Sequence, residues 1–248
     1  MTYCVGVLVD EGLVLASDSR TNAGVDHLMT YRKMTMFEKP GDRVIILLSA
    51  GNLAITQAVA NLLKDNAAEQ HKTLNVMEAK SMFSVARIVG EAVREVHDDE
   101  ADHLKEHNME FNANFILGGQ VKGGKTRLFH VYAAGNFIEA SPEMPFIQIG
   151  ETKYGKPVLD RIITANTSLE EAAKCMLVSY TSTLRSNISV GLPIDLAIYR
   201  NDSLKIDSKL YIDEDDEYFR KLNEDWSTAL SNAFNAIPNP DLTRKNGN

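Results

Sequence analysis

TYCVGVLVDEGLVLASDSR, residues 2–20, sets two short apolar segments on either side of an acidic turn. Val5, Val7 and Val9 alternate in the first segment, Asp10-Glu11-Gly12 follows, and Leu13 to Asp18 makes the second, so the spacing predicts a β-hairpin at the N-terminus. Arg43 to Ser49 is another β-rich run. It stops at Ala50-Gly51-Asn52, after which Leu53 to Asn66 carries apolar residues at helical spacing, so a strand hands over to a helix at Gly51. Met77, Met82, Val85, Ile88, Val89, Ala92, Val93 and Val96 then keep a helical period from Val76 to roughly His97.

Further on, Phe111 to Gly119 and Thr126 to Gly135 alternate like strands around the Lys- and Gly-rich Gln120 to Lys125, and Pro145 to Ile149 adds a shorter strand. Lys153 to Thr164 and Ser168 to Leu184 read as a second helix pair, the latter opened by a Thr-Ser cap with Glu170 and Glu171 in its first turn. Pro193 to Arg200 and Ser203 to Ile212 close the pattern as a hairpin across Asn201-Asp202. Strands, two helices, strands, two helices, strands: this order suits a layered α+β sandwich with a helix layer outside each of two packed sheets. A doubly wound sheet would alternate single helices with strands. The reading places this main domain at residues 1–212. Residues 213–248 form an acidic extension, in which an Asp-Glu-Asp-Asp-Glu run precedes an amphipathic Tyr218 to Phe234 and a polar tail ending at Asn248.

The 248 residues are 44 % apolar, enough for a sizeable core. Lys and Arg number 26 against 34 Asp and Glu, a net charge of −8, and no basic stripe emerges, which argues against nucleic acid as a partner. The longest apolar stretch, Val44 to Ser49 and on to Leu53 and Ala54, is too short to span a bilayer, and no basic segment leads into an apolar one at the N-terminus. Cys4 and Cys175 have neither metal-site nor CxxC spacing and read as buried thiols of a reducing compartment. The expectation is a soluble, cytoplasmic protein without a membrane partner, cofactor or metal.

Thr2, Asp18, Arg20, Lys33 and Gly51 are the informative residues for chemistry. A threonine hydroxyl is a weak nucleophile at neutral pH, but when Thr is the first residue its own α-amine, with an unperturbed pKa of about 7.7–8.0, can act as the base. That requires removal of Met1, which a small second residue permits. A lysine beside Thr2 would favour deprotonated neighbours, an aspartate would hold that lysine, and Lys33 and Asp18 can fill these roles. Gly51, at the strand-to-helix junction, could aim its backbone N–H at a developing oxyanion.

Thr2-x-x-x-Gly6, Ala16-Ser17-Asp18-Ser19-Arg20, the later Lys33, and Ser49-Ala50-Gly51-Asn52 leading into a helix resemble proteasome β subunits and the bacterial HslV peptidase. The whole chain, acidic extension included, is more closely similar to the bacterial family called Anbu, for ancestral β subunit. The resemblance implies a four-layer αββα sandwich, Thr2 as nucleophile and base, Asp18 and Lys33 as its charge partners, and Gly51 as oxyanion donor. It also implies Arg20 as a structural arginine beside the substrate groove and assembly of identical subunits into a ring or spiral; Arg20, Ser49, Ser186 and Ser189 are the residues expected to support the site. The substrate would be a peptide or unfolded protein. An unfolding ATPase could deliver such chains, although no docking surface for one is legible. Gly150-Glu151-Thr152 stands where proteasomes carry Gly-Ser-Gly, and an Asp-x-x-Ser-Gly pattern survives only as Ser186-Asn187-Ile188-Ser189-Val190-Gly191, without the aspartate. A scaffold or binding subunit with the same fold and little turnover therefore stays open as an alternative.

Two other patterns occur. Gly119-Gln120-Val121-Lys122-Gly123-Gly124-Lys125-Thr126 satisfies the phosphate-loop pattern, but Arg127 to Ala134 alternates like a strand where that mechanism needs a helix, so a hairpin turn is expected. His103-Leu104-Lys105-Glu106-His107 matches an inverted zinc-peptidase signature, yet a third ligand cannot be assigned and the run reads as the solvated end of a long helix.

Overall fold

The computed structural model describes residues 2–22, 28–69, 74–107 and 110–242. The N-terminal hairpin forms as β1 (Tyr3–Val9) and β2 (Gly12–Asp18), and a short pair follows, β3 (Arg20–Asn22) with β4 (Leu28–Thr30). Then come β5 (Met34–Lys39), β6 (Arg43–Gly51), α1 (Leu53–Ala68), α2 (Met82–Glu106), β7 (Ala113–Val121), β8 (Arg127–Val131) and β9 (Phe137–Glu139). β10 (Phe146–Gly150), α3 (Lys156–Ile162), α4 (Leu169–Ser186), β11 (Ile194–Arg200), β12 (Ser208–Ile212) and α5 (Glu217–Ala236) complete the chain. One antiparallel sheet runs β10-β1-β2-β11-β12 and the other β5-β6-β7-β8-β9.

Three apolar layers hold these sheets together, and the central strands feed two layers at once. Val5, Val7, Val14 and Ala16 face α3 and α4, whereas Cys4, Leu13 and Leu15 face the other sheet. On β6, Ile45 and Leu47 pack under α1 and α2 while Val44, Ile46 and Leu48 point into the space between the sheets. Alternate residues of a strand point to opposite faces, so burial on both sides requires the continuous apolar runs seen in the sequence. The result is the expected four-layer αββα sandwich.

The departures are local. α2 begins at Met82 instead of Val76, because Asn75 Oδ1 accepts from Met77 N (2.8 Å) and Ser81 Oγ accepts from Ser84 N (3.1 Å), which turns the chain before the helix starts. Its far end continues to Glu106 through the acidic segment. The hairpin after β11 is wider than two residues: Asp202 and Leu204 take positive φ and β12 starts only at Ser208. α4 begins at the expected Ser168, with Glu171 completing a capping box. α5 packs its first half on α4 through Phe219, Leu222 and Trp226. The tail at 243–248, Asn248 included, lies outside the described residues.

The phosphate-loop look-alike is a turn between β7 and β8, as its flanking alternation indicated; it lines a cavity of about 350 Å3 at the other end of β1 from Thr2, with Asp10 and Asp202. His103 is exposed, with Glu106 3.9 Å away. Among the described residues no group of three or more His, Cys, Asp and Glu could hold a metal ion, and no helix is long and apolar enough to cross a membrane.

Candidate active site

Asp18 ends β2 with no solvent exposure. Its Oδ1 accepts from Tyr3 N (3.0 Å) and from Lys33 Nζ (3.0 Å). Burial pushes this carboxyl above the usual carboxylate range, while the Lys33 ammonium and the Tyr3 N–H pull the other way. The Gly191 N–H favours the charged form without closing a hydrogen bond to Oδ2, which has no partner among the described residues. Lys33, just before β5, is 5 % exposed. Besides Oδ1, its Nζ donates to the carbonyls of Asp18 (3.3 Å) and Arg20 (2.6 Å), so an ammonium there has an acceptor for each of its three protons.

Thr2 precedes β1 and is 8 % exposed. Its carbonyl accepts from Glu151 N (2.7 Å) at the end of β10. Gly150, at φ +81°, is needed for this approach, since a Cβ there would fall 1.9 Å from Thr2 O. Tyr180 of α4 donates to the Tyr3 carbonyl (2.8 Å), so the N-terminus is fixed from both sides. Met1 lies outside the described residues.

Gly51 ends β6 at φ +125°, and a Cβ on it would meet the Asn112 carbonyl at 2.2 Å. Ser49 N donates to Lys33 O (3.1 Å) and Asn52 N to Asn112 O (2.8 Å). N–H groups alternate sides along an antiparallel strand, so that of Gly51 turns away from β7, past the last β5 partner, Met34. Asn52 caps α1 by accepting from Ala54 N (3.0 Å).

These positions meet in one cleft of about 770 Å3, whose lining includes Thr2, Lys33, Ser49, Gly51 and Gly150, with Thr21, Asn112 and Asn114 completing its walls. Arg20 is not part of that lining. Its guanidinium reaches the Ile188 carbonyl (3.0 Å) and lies over Gly191, bracing the 187–191 loop beside Asp18. Ser186 and Ser189 do not line the cleft either. Ser186 is exposed at the end of α4, and the Ser189 N–H donates to Asn187 Oδ1 (2.9 Å).

Sequence reasoning passed over Asn187, whose Nδ2 donates to the buried Glu151 carboxylate (2.6 Å), with Lys153 Nζ 3.4 Å away. It also passed over Thr21, Asn112 and Asn114, because nothing in the chain order signals that β3 and β7 end at the same cleft.

A family model for proteasome subunits matches residues 2–198. No curated protein sequence is matched by this chain. Solved structures are. Anbu (ancestral β-subunit) from Yersinia bercovieri is 46 % identical, with 97 % of this chain and 99 % of that one covered and a TM-score of 0.91. The Anbu (Gly-1) mutant from Hyphomicrobium sp. strain MC1 is 48 % identical over 98 % and 100 % of the two chains, with a TM-score of 0.91. A structure described as the helical assembly of the Anbu complex from Pseudomonas aeruginosa is 42 % identical over 98 % and 100 %, with a TM-score of 0.93. With the family match spanning most of the chain and these relatives spanning nearly all of it, the chain belongs to the proteasome subunit family, as a member of its Anbu, or ancestral β-subunit, group.

Proposed function

We propose that this chain is a threonine-type N-terminal-nucleophile hydrolase that cleaves peptide bonds within a homo-oligomer. Once Met1 is removed, the Thr2 hydroxyl attacks the peptide carbonyl and its proton passes to the Thr2 α-amine, directly or through water. The Gly51 N–H stabilises the oxyanion, the amine protonates the leaving nitrogen, and water then hydrolyses the Thr2 ester. Asp18 and Lys33 act electrostatically: a lysine whose protons are all directed to acceptors is a fixed positive charge, not a base. The observation that carries this reading is that anchored ammonium, held by Asp18 and opening onto the same cleft as Thr2 and Gly51.

A second reading, a scaffold subunit with little turnover, draws support from Glu151 beside Thr2 and from Ser186 and Ser189 lying off the cleft. Hydrolysis of a mixed panel of short peptide amides separates the two. The hydrolase reading expects turnover that Thr2→Ala abolishes and a chelator leaves unchanged; turnover that survives Thr2→Ala contradicts it. The helical assembly of the Pseudomonas aeruginosa relative supports association of this chain with copies of itself.

A further inference from the structure

Resting on the Thr2 reading, we infer that Asn112 and Asn114 form a subsite of the cleft that binds a substrate side chain bearing an acceptor oxygen, an amide or a carboxylate, and that His130 orients it. The position of these residues in the sheet is the first ground. Ile116 and Leu128 on β7 and β8 face the apolar layer between the sheets, and His130 pairs directly with Ile116. Asn114 lies two residues from Ile116 and so faces the same way. Polar side chains therefore replace aliphatic ones where this layer opens into the cleft.

Their hydrogen bonds are the second ground. His130 Nε2 lies 3.1 Å from Asn114 Oδ1, and Asn114 Nδ2 donates to Asn112 Oδ1 at 3.4 Å. The amide and tautomer assignments follow from these partners: an Oδ1 acceptor requires the Nε2–H form of the imidazole. Burial holds His130 below the ordinary histidine range, which keeps it neutral near pH 7. Protons thus point in one direction along the chain, from His130 to Asn114 to Asn112. Each amide oxygen already takes one internal proton, while one N–H of Asn114 and both of Asn112 remain for a ligand, so donors outnumber the acceptor positions left open. A wall of donors selects acceptors. Lys33 does not compete for such a group, because its protons are committed to Asp18 and Arg20.

The test uses labelling of Thr2 by an epoxyketone, whose adduct needs a threonine hydroxyl and a free α-amine, followed by intact mass. Short peptides that differ only in Asn against Leu, or Gln against Met, at each position compete with the label. One hydrogen-bonded acceptor is expected to make the polar peptide about tenfold the better competitor at one position. Asn114→Leu and, independently, the exposed Asn112→Ala should bring that ratio close to one. His130→Gln, which keeps a donor, should retain it, and His130→Phe should not. A ratio is insensitive to general loss of folded protein. Labelling with no polar preference, or a preference untouched by Asn112→Ala and Asn114→Leu, overturns this inference alone. Absence of any Thr2 adduct in the wild type overturns the Thr2 reading and this inference with it.

Discussion

All three protons of the Lys33 ammonium have acceptors, and two of those acceptors belong to Asp18. Lys33→Ala leaves a buried carboxylate without its cation, so a loss of about 3–5 kcal/mol is expected in denaturant unfolding, together with loss of hydrolysis. Lys33→Arg should not restore turnover, since a planar fork cannot reproduce three divergent bonds from one nitrogen. As pH falls, the proposed activity is lost through protonation of the Thr2 α-amine, which must be deprotonated to act as the base, and separately through Asp18. Its carboxyl titrates above the usual range, so protonation, and release of Lys33, comes earlier as pH falls than at an ordinary aspartate near 3.9. In a pH–rate profile the loss that belongs to Asp18 is therefore expected above that value, in addition to the loss from the α-amine near neutrality. Gly51→Ala must move the strand end away from the Asn112 carbonyl, and kcat is expected to fall about a hundredfold, the effect of losing one oxyanion donor. Thr2, Asp18, Lys33 and Gly51 could be proposed from the sequence because the proposed chemistry needs particular residue types in a particular order, and the fold brings Thr2, Lys33 and Gly51 to one cleft with Asp18 holding Lys33. Asn114 and Asn187 could not, because their places beside the site come from strand register and from a helix end meeting β10.

At the scale of elements, caps and continuous apolar runs were legible. Ser168 and Glu171 announce the start of α4, and Ser168→Ala should cost about 1 kcal/mol, lowering Tm by about 2–4 °C in a thermal melt. What local sequence hid was pairing at a distance. β3, β4 and β9 are three residues long, too short for an alternation signal, and form because a neighbouring strand offers its edge. Val76 and Met77 fit a helical period yet lie in a turn, because they fill the layer beneath α1 and α2 without helical backbone.

Over the whole molecule, two sheets with buried outer faces force helices onto both sides, and the cleft opens where the inter-sheet layer turns polar. Leu230, Phe234 and Ile237 on and just beyond the second half of α5 are exposed, as the proposed association with copies of the chain would use. Sedimentation of the purified protein is expected to show species larger than the monomer. The central claim is that Thr2, freed of Met1, is the nucleophile. The intact mass of the purified protein, before and after an epoxyketone, tests it: loss of Met1 and a single adduct mapped to Thr2 is the expected result, and Met1 retained in the native protein would contradict the account.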